Sequence, residues 1–237
     1  MRIVDLYYVF GGKKGSFLQQ KWSAYCMNRE KKQKQKYFKK YGMEMLLLFF
    51  EICRNHGINC WLEYGTLLGA YRNASFIPYD IDLDVGIPAN EFSEELEQKL
   101  FENGFKRVRD FVLVDVANNT KMLTELCYAY KGGTIDVFLS FEEGDVRNSY
   151  VYINEYADDA QTRRKVKMFL LDKAFPMSKL TINGVSFTGP SNPAKVLAKI
   201  YGENFMTPLP NWKPNRNNPY VKYLDANSFY GIYSEYK

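Results

Sequence analysis

The chain has 237 residues, 46% hydrophobic and 25% charged, and this composition excludes a disordered, collagen-like or coiled-coil protein and predicts one large domain. The longest uninterrupted apolar run covers residues 45–50, far short of the roughly 20 residues of a membrane-spanning helix, and no secretory signal is evident. We therefore expect a cytoplasmic protein that does not cross a membrane. Its net charge is +5.

The hydrophobic pattern predicts a mixed α/β domain after an irregular N-terminal stretch, residues 1–30. In chain order, the expected elements are a helix over residues 34–56, a strand over 58–64, a turn at Gly65 and Thr66, a helix over 67–72, a strand over 79–87, a helix over 90–103, strands over 105–116, 123–130, 134–141 and 151–156, a hairpin over 180–187 and a helix over 193–201. The Pro- and Asn-rich segment that follows is expected to be extended.

The positive charge is concentrated at the start of the first helix. Residues 28–41 carry seven lysines and arginines against Glu30, a local charge of +6. We expect a solvated helix face. The alternative is peripheral contact with the inner membrane face through residues 29–40, because anionic lipids attract such clusters. No nucleic-acid-binding motif accompanies the segment, so nucleic acid is not an expected partner.

Cysteine and histidine are too sparse and too widely spaced for a structural zinc site. No C-x-x-C pair is present, and His56 is the single histidine, so a zinc site has no closely spaced ligands. We expect reduced, buried thiols, and His56 as a helix C-terminal cap. Acid–base chemistry would then use carboxylates. The four cysteines are Cys26, Cys53, Cys60 and Cys127.

The informative stretch is WLEYGTLLGAYRNASFIPYDIDLDVGI. Strict alternation at its end predicts a strand with Asp80, Asp82 and Asp84 on one face, about 6.5–7 Å apart. Such a row of like charges is unfavourable unless a hard cation relieves the repulsion. Asp136, a lone acid in the apolar strand TIDVFL, is expected to be a further ligand or a general base. The pattern predicts Mg²⁺, with Mn²⁺ as an alternative, held against a phosphate.

The segment before the acids supplies groups that can bind phosphate. Gly65 permits close backbone approach, the Thr66 hydroxyl can donate, and the next helix directs N–H groups at an anion. Arg72 could clamp the same phosphates. Each also has a plain structural interpretation, Gly65 as a turn residue and Arg72 as a surface residue.

A calcium-binding loop is an alternative interpretation of the acids. Asp80, Asp82 and Asp84 fit positions 1, 3 and 5 of an EF-hand loop, and Glu91 fits position 12. Position 6 requires glycine, however, and the chain has Val85 there. We therefore favour the magnesium interpretation.

The run GTLLGAYRNASFIPYDIDLDVGI resembles the signature of the LicD/fukutin-related family. NHGINCWLEYG before it, IDVF after it and the closing NPAKVLAKIYGENFMTP extend the resemblance over residues 34–210. The resemblance implies a nucleotidyltransferase-like core with helical and C-terminal embellishments. It also implies transfer of a phosphorylated alcohol, such as phosphocholine, ribitol phosphate or glycerol phosphate, from a CDP-activated donor to a glycan or lipid-linked glycan.

The resemblance also implies roles for individual residues. Many members have another Asp in place of Ile81 and a Trp in place of Tyr79, which bears on donor choice. Between Thr66 and the first acid lie 13 residues if that acid is Asp80 and 15 if it is Asp82, so the essential pair stays open. The implied metal ligands are Asp80, Asp82, Asp84 and Asp136, the catalytic acids are Asp82, Asp84 and Asp136, and the donor-phosphate residues are Gly65, Thr66 and Arg72.

We expect an N-terminal extension over residues 1–33, a catalytic domain over 34–210 and a tail over 211–237 packed on it. Trp212, in that tail, is a candidate to contact an acceptor sugar. The favoured function is Mg²⁺-dependent transfer of the phosphorylated alcohol. The alternatives are a nucleotidyltransferase that transfers a nucleoside monophosphate and a calcium-dependent glycan-binding module.

Overall fold

The computed structural model describes residues 16–209 and 217–236, and it confirms a mixed α/β architecture. The helices are α1 (Phe17–Asn55), α2 (Tyr64–Asn73), α3 (Glu94–Glu102) and α4 (Pro193–Tyr201), with a short 3-10 helix at Ala89–Glu91. The strands are β1 (Trp61–Leu62), β2 (Leu83–Pro88), β3 (Lys106–Asp115), β4 (Thr120–Tyr130), β5 (Gly133–Glu143), β6 (Val146–Tyr156), β7 (Arg164–Asp172), β8 (Ser178–Ile182), β9 (Val185–Gly189), β10 (Val221–Tyr223) and β11 (Phe229–Glu235).

Six antiparallel strands form a closed, barrel-like sheet in the order β3, β4, β5, β6, β7 and β11. Strand β11 closes the ring because Gly231 pairs with Leu113 of β3 and with Arg164 of β7. A Cβ at Gly231 would collide with the Phe111 ring, so only glycine lets β11 approach β3 here. The barrel is a departure from the clear nucleotidyltransferase-like core that the resemblance implies.

Strand β2 extends this sheet by pairing in parallel with β5, and β1 adds to the outer edge of β2. The parallel pair sets Leu83 to Pro88 alongside Ile135 to Ser140. Helix α1 packs on β5 from Phe38 onward, where its buried side chains begin to recur at helical spacing. One large core lies beneath α1, α2 and α4, and it fixes the parallel pair that carries the acids.

The expected strand over residues 79–87 is wrong in its first half. Only Leu83–Pro88 is a strand, and Asp80 and Asp82 lie in the preceding loop, where the Asp80 N–H donates to the Ile77 carbonyl. The expected turn at Gly65 and Thr66 is also wrong, because α2 begins at Tyr64 and both residues belong to its first turn. The acids therefore meet through a loop and a strand end, not along one strand face.

The irregular N-terminal stretch is corrected as well. Helix α1 begins at Phe17, where the Ser16 hydroxyl accepts from the Gln19 N–H, and it runs through residues 33 and 34 without a break. Lys, Gln, Arg and Ala favour helix here despite the charge. Residues 1–15 and 210–216, including Trp212, lie outside the described residues.

The predictions from sequence missed β7, and they missed β10 and β11 in the tail that was expected to be extended. The hairpin expected over residues 180–187 is confirmed, with Asn183 and Gly184 at positive φ. The helix expected over 193–201 is confirmed as α4, and its N-cap is Asn192. His56 is the C-cap of α1, as expected, and its Nδ1 lies 2.8 Å from the Ile52 carbonyl. Within the described residues, no helix is long and apolar enough to span a membrane.

Candidate active site

The parallel register of β2 and β5 places Asp84 directly beside Asp136. Side chains of paired residues in a sheet project from the same face, so the two carboxylates are neighbours on one face of the sheet. The Asp136 side chain is buried. Like charges at this separation repel strongly when they are out of water, which makes the pair the centre of the candidate site.

The first turn of α2 is bonded to Asp84. The Gly65 N–H donates to Asp84 Oδ2 over 2.9 Å, and the Asp84 N–H donates to Thr66 Oγ1 over 2.8 Å. A Cβ at Gly65 would lie 3.0 Å from Asp84 Oδ2 and 3.5 Å from Asp80 Oδ2. Glycine therefore leaves room for two carboxylates at this point, and the buried Thr66 hydroxyl holds the backbone of Asp84.

The loop acids complete a group of mutually repelling carboxylates. Burial and the neighbouring Asp82 raise the pKa of Asp80 to about 7, and burial and Asp136 raise that of Asp82 to about 6. Burial, Asp82 and Asp136 together raise the pKa of Asp84 well above its usual range. The four acids that the sequence singled out do lie together, as the charge cluster that such shifts require.

Arg109 and Glu125 belong to the same cluster and were missed. Arg109 Nη2 donates to Asp136 Oδ1 and Oδ2 over 2.6 and 2.5 Å. Glu125 is buried, and burial together with Asp136 raises its pKa to about 8. Glu125 is a lone acid in the central, mostly apolar part of its strand, the same signal that singled out Asp136. Arg109 lies in a strand with several other charged residues, so no comparable signal marks it.

Lys34 approaches the cluster from α1. Its positive charge lowers the pKa of both Asp82 and Asp136, against the effect of burial. The next residue of α1, Gln35, donates from its side-chain amide to the Pro78 carbonyl over 3.0 Å. This part of α1 therefore lies against the loop that carries Asp80 and Asp82. The basic segment thus presents one lysine to the acids.

A buried ion pair supports the start of α2. Glu63 and Arg147 are 0% and 1% exposed, and Arg147 Nη1 lies 2.8 Å from Glu63 Oε2. The Trp61 indole N–H donates to the same oxygen over 2.6 Å, and Arg147 Nε donates to the Asp172 carbonyl. Because Glu63 is the N-cap residue of α2, this pair fixes the backbone that carries Gly65.

Arg72 lies in a cavity next to the acids. The cavity, of ≈ 280 Å³, is lined by Gly65, Asp80, Tyr201 and Phe205 among others. The Arg72 guanidinium donates to the carbonyl oxygens of Phe205 and Thr207. Arg72 therefore fastens the segment after α4 to α2, and its role in phosphate binding stays a prediction.

The carboxylates of the cluster are candidate ligands for a divalent metal. Among the described residues, no three Asp, Glu, His or Cys side chains are already grouped as metal ligands. The carboxylates nevertheless fit a hard cation chemically, because burial and then the neighbouring acids raise the pKa of Asp84, and Arg109 and Lys34 oppose these effects at Asp82 and Asp136 only in part. Asp80, Asp82 and Asp84 would hold the ion, with Asp136 as a further candidate.

The calcium-loop alternative loses its twelfth ligand. Both Glu91 carboxylate oxygens accept hydrogen bonds from Asn59, one from the backbone N–H over 2.6 Å and one from the side-chain amide over 2.9 Å. A calcium loop needs this carboxylate to bind the ion with both oxygens. Glu91 instead ties the 3-10 helix to the segment before β1.

Comparison with curated proteins finds relatives that are longer than this chain. An uncharacterised protein of Rickettsia prowazekii is 28% identical over 189 residues, which are 78% of this chain and 64% of that protein. Ribitol-5-phosphate transferase FKTN of mouse is 25% identical over 186 residues, 78% of this chain and 37% of the transferase. The human protein of that name is 26% identical over 191 residues, with the same two shares.

Comparison with protein families agrees with these relatives. The family described as LicD/FKTN/FKRP, nucleotidyltransferase domain, matches residues 57–192. The match covers more than half of the chain and includes Gly65, Thr66, Asp84, Arg109 and Asp136. The chain therefore belongs to the LicD family.

Proposed function

We propose that this protein transfers a phosphorylated alcohol from a CDP-activated donor to a hydroxyl of a glycan or lipid-linked glycan. Phosphocholine, ribitol phosphate and glycerol phosphate are the candidate groups. Family membership supports phosphotransfer of the LicD type, and the mouse and human relatives are ribitol-5-phosphate transferases by name. We also propose that β2, β5 and α2 correspond to the nucleotidyltransferase-like part of the fold.

One observation carries the proposal: Asp84 and Asp136 are side by side in a parallel register, with Asp80 and Asp82 close enough to raise the pKa of the group. A cluster of acids of which Asp136 is buried and the other three are half-buried is unfavourable for a protein that binds nothing there. It suits a site that takes up Mg²⁺ or Mn²⁺ together with a diphosphate. When bound, the metal would neutralise charge on the donor phosphates.

The transfer would proceed in one displacement. The acceptor hydroxyl oxygen attacks the phosphorus that carries the alcohol, a new P–O bond forms, and the bond from that phosphorus to CMP breaks. CMP leaves with the bonding electron pair. The hydroxyl proton passes to a carboxylate.

Asp136 is our candidate for that carboxylate. Burial raises the pKa of Asp136, and Arg109, which donates to both of its oxygens, opposes that effect; a carboxylate with a raised pKa is a stronger base. The Gly65 N–H and the buried Thr66 hydroxyl are both hydrogen-bonded to Asp84, so we propose that these two residues hold Asp84 in place beside the donor phosphates. Lys34 can approach the same phosphates from α1.

The test is donor binding followed by turnover. Thermal unfolding would be measured with CDP-choline, CDP-ribitol and CDP-glycerol, each with and without Mg²⁺, because a ligand of the folded state raises its stability in proportion to the logarithm of its excess. We expect one donor to raise the Tm only when Mg²⁺ is present. That donor should then yield CMP with an acceptor glycan.

Asp82→Asn and Asp84→Asn provide the control. Both should remain folded, lose the Mg²⁺-dependent Tm shift and lose turnover by at least about 100-fold. Label from CTP retained on the acceptor would indicate nucleotidyl transfer instead. Stabilisation by Ca²⁺ alone, with no effect of any CDP-alcohol, would contradict the proposal and favour a glycan-binding module.

A further inference from the structure

Helix α1 presents a long face without acids on its N-terminal half. Spacings of three and four residues place one side-chain set on this side of the helix, and every member is exposed. Between its first and last members it extends about 32 Å. We call it the cationic face; its residues are Leu18, Lys21, Tyr25, Arg29, Lys32, Lys36 and Lys39.

Within this stretch of α1, the charges of the face are unopposed. Glu30 is the single acid between residues 17 and 43, and its position next to Arg29 turns it about 100° around the helix, off the face. Within the described part of the chain, none of the five cations has an ion-pair partner at 4.0 Å or less. The face is therefore a strip of uncompensated positive charge.

The N-terminal end of the face also exposes apolar side chains. Leu18 is 68% exposed and Tyr25 is 58% exposed, and Phe17 beside them is 67% exposed. Helix α1 begins to bury its side chains regularly only from Phe38. Large apolar groups left in water next to a row of cations call for an explanation beyond solubility.

We propose that the cationic face binds the surface of an anionic lipid bilayer. Five Lys and Arg side chains on one side of a helix complement the negative charge of lipid phosphates. Each of them makes a similar, small contribution to the free energy of binding. Leu18 and Tyr25 can enter the boundary between headgroups and acyl chains. A nucleic acid would use the cations but leaves these aliphatic and aromatic groups without an apolar partner, so the bilayer fits better.

The proposal gives the two sides of one helix different roles. Lys34 lies at the side opposite the face and acts on Asp82 and Asp136. Docking through the face leaves Lys34 and the acids uncovered. The inference does not depend on the proposed transfer reaction, because a protein inactive with every CDP-alcohol can still bind vesicles.

The experiment is vesicle flotation with the full chain. The vesicles would be phosphatidylcholine alone, and phosphatidylcholine with about 30% phosphatidylglycerol as the anionic lipid. We expect binding only to the anionic vesicles, and weaker binding as the salt rises from about 0.1 M to about 0.5 M, because salt screens exposed charges.

A matched pair of triple variants tests the location. Lys32→Gln/Lys36→Gln/Lys39→Gln should weaken binding on the order of 100-fold. Removal of three exposed lysines elsewhere gives the same net charge and should leave binding close to that of the native chain. This control is Lys106→Gln/Lys121→Gln/Lys222→Gln.

A second pair tests the apolar contribution. Leu18→Ser/Tyr25→Ser should remove the binding that persists at the higher salt. Met27→Ser is the control, because Met27 is 69% exposed but lies on another side of α1. All variants change exposed side chains, and circular dichroism should show unchanged helix content.

Three results would overturn the proposal. The first is equal binding to neutral and anionic vesicles, and the second is equal loss in the two lysine variants. The third is binding to homopolymeric RNA with the same lysine dependence and none to vesicles, which would identify a nucleic-acid surface instead.

Discussion

Two groups of charged side chains adjoin the first turn of α2, and they are built in opposite ways. In the first, Glu63 and Arg147 form one closed, buried pair, and Trp61 and a backbone carbonyl satisfy the remaining polar atoms. In the second, four aspartates and Glu125 are opposed, among the described residues, by Arg109 and Lys34. The first group is balanced, and the second has excess negative charge.

The difference separates scaffold from site. A buried pair with all its hydrogen bonds made is costly to break and holds the backbone in one position. An unbalanced group remains ready for a positive ligand, because binding removes a repulsion that folding left in place. The balanced pair should therefore govern folding, and the unbalanced cluster should govern the response to Mg²⁺.

The largest effect is expected from breaking the balanced pair. Arg147→Met leaves the Glu63 carboxylate buried without its partner and should lower the free energy of unfolding by about 3–5 kcal/mol. Urea unfolding followed by circular dichroism measures this change. The double variant Glu63→Gln/Arg147→Met removes the unpaired charge, so it should recover a large part of the loss. If the double variant is as unstable as the single one, packing and not charge governs this region.

An intermediate effect on stability is expected from removing Arg109, which donates to both Asp136 oxygens in the unbalanced cluster. Arg109→Met leaves Asp136 and Glu125 unopposed and should lower the free energy of unfolding by about 2 kcal/mol. The Mg²⁺-dependent rise in Tm should become larger than in the native chain, because the ion then supplies the missing positive charge.

Arg107→Met is the matched control for Arg109→Met. Arg107 is similarly exposed and donates to Glu97 over 2.6 Å, outside the acid cluster. It should lose stability without any change in the Mg²⁺ response. An equal Mg²⁺ response in both variants would show that Arg109 and the cation do not compensate the same charge.

The same contrast explains what could be predicted from the sequence. Local signals were sufficient for α4 and for the Asn183-Gly184 hairpin. They also singled out Gly65, Thr66 and Asp84, which lie within 20 residues of one another and are hydrogen-bonded in the structure, although the predicted turn at Gly65 and Thr66 is wrong. They did not separate helix from loop in residues 17–33, where good helix formers coincide with like charges. Local signals also failed to show where the strand begins, because the alternating pattern extends back to Asp80 and Asp82 while the strand starts at Leu83.

The missed site residues depend on register, which single-sequence patterns do not show. An irregularity between Arg107 and Arg109 sets Arg109 opposite Cys127, and Cys127 is in turn opposite Asp136. A shift of one residue would send the Arg109 side chain to the other face of the sheet. The Glu63–Arg147 pair joins residues 84 positions apart, and nothing near either residue reveals the other.

The smallest effect on stability, and the sharpest on the site, is expected at Gly65. Gly65→Ala adds a methyl group 3.0 Å from Asp84 Oδ2, too close for the carboxylate to stay where it is. Alanine favours a helix over glycine by roughly 0.5–1 kcal/mol, which offsets the crowding, so the free energy of unfolding should change by less than about 1 kcal/mol. The Mg²⁺-dependent rise in Tm should nevertheless fall, because a displaced Asp84 is a poorer ligand.

Gly42→Ala is the control for Gly65→Ala. It adds the same methyl group to another helix, so it separates the general effect of replacing glycine in a helix from the effect of crowding Asp84. Its Cβ would lie 3.4 Å from the Phe38 ring, an ordinary contact, and it is remote from the acids. This variant should gain slightly in stability and keep the full Mg²⁺ response. A native Mg²⁺ response in Gly65→Ala would place the cation away from Asp84, and the contrast between the balanced and unbalanced charges would then lose its functional meaning.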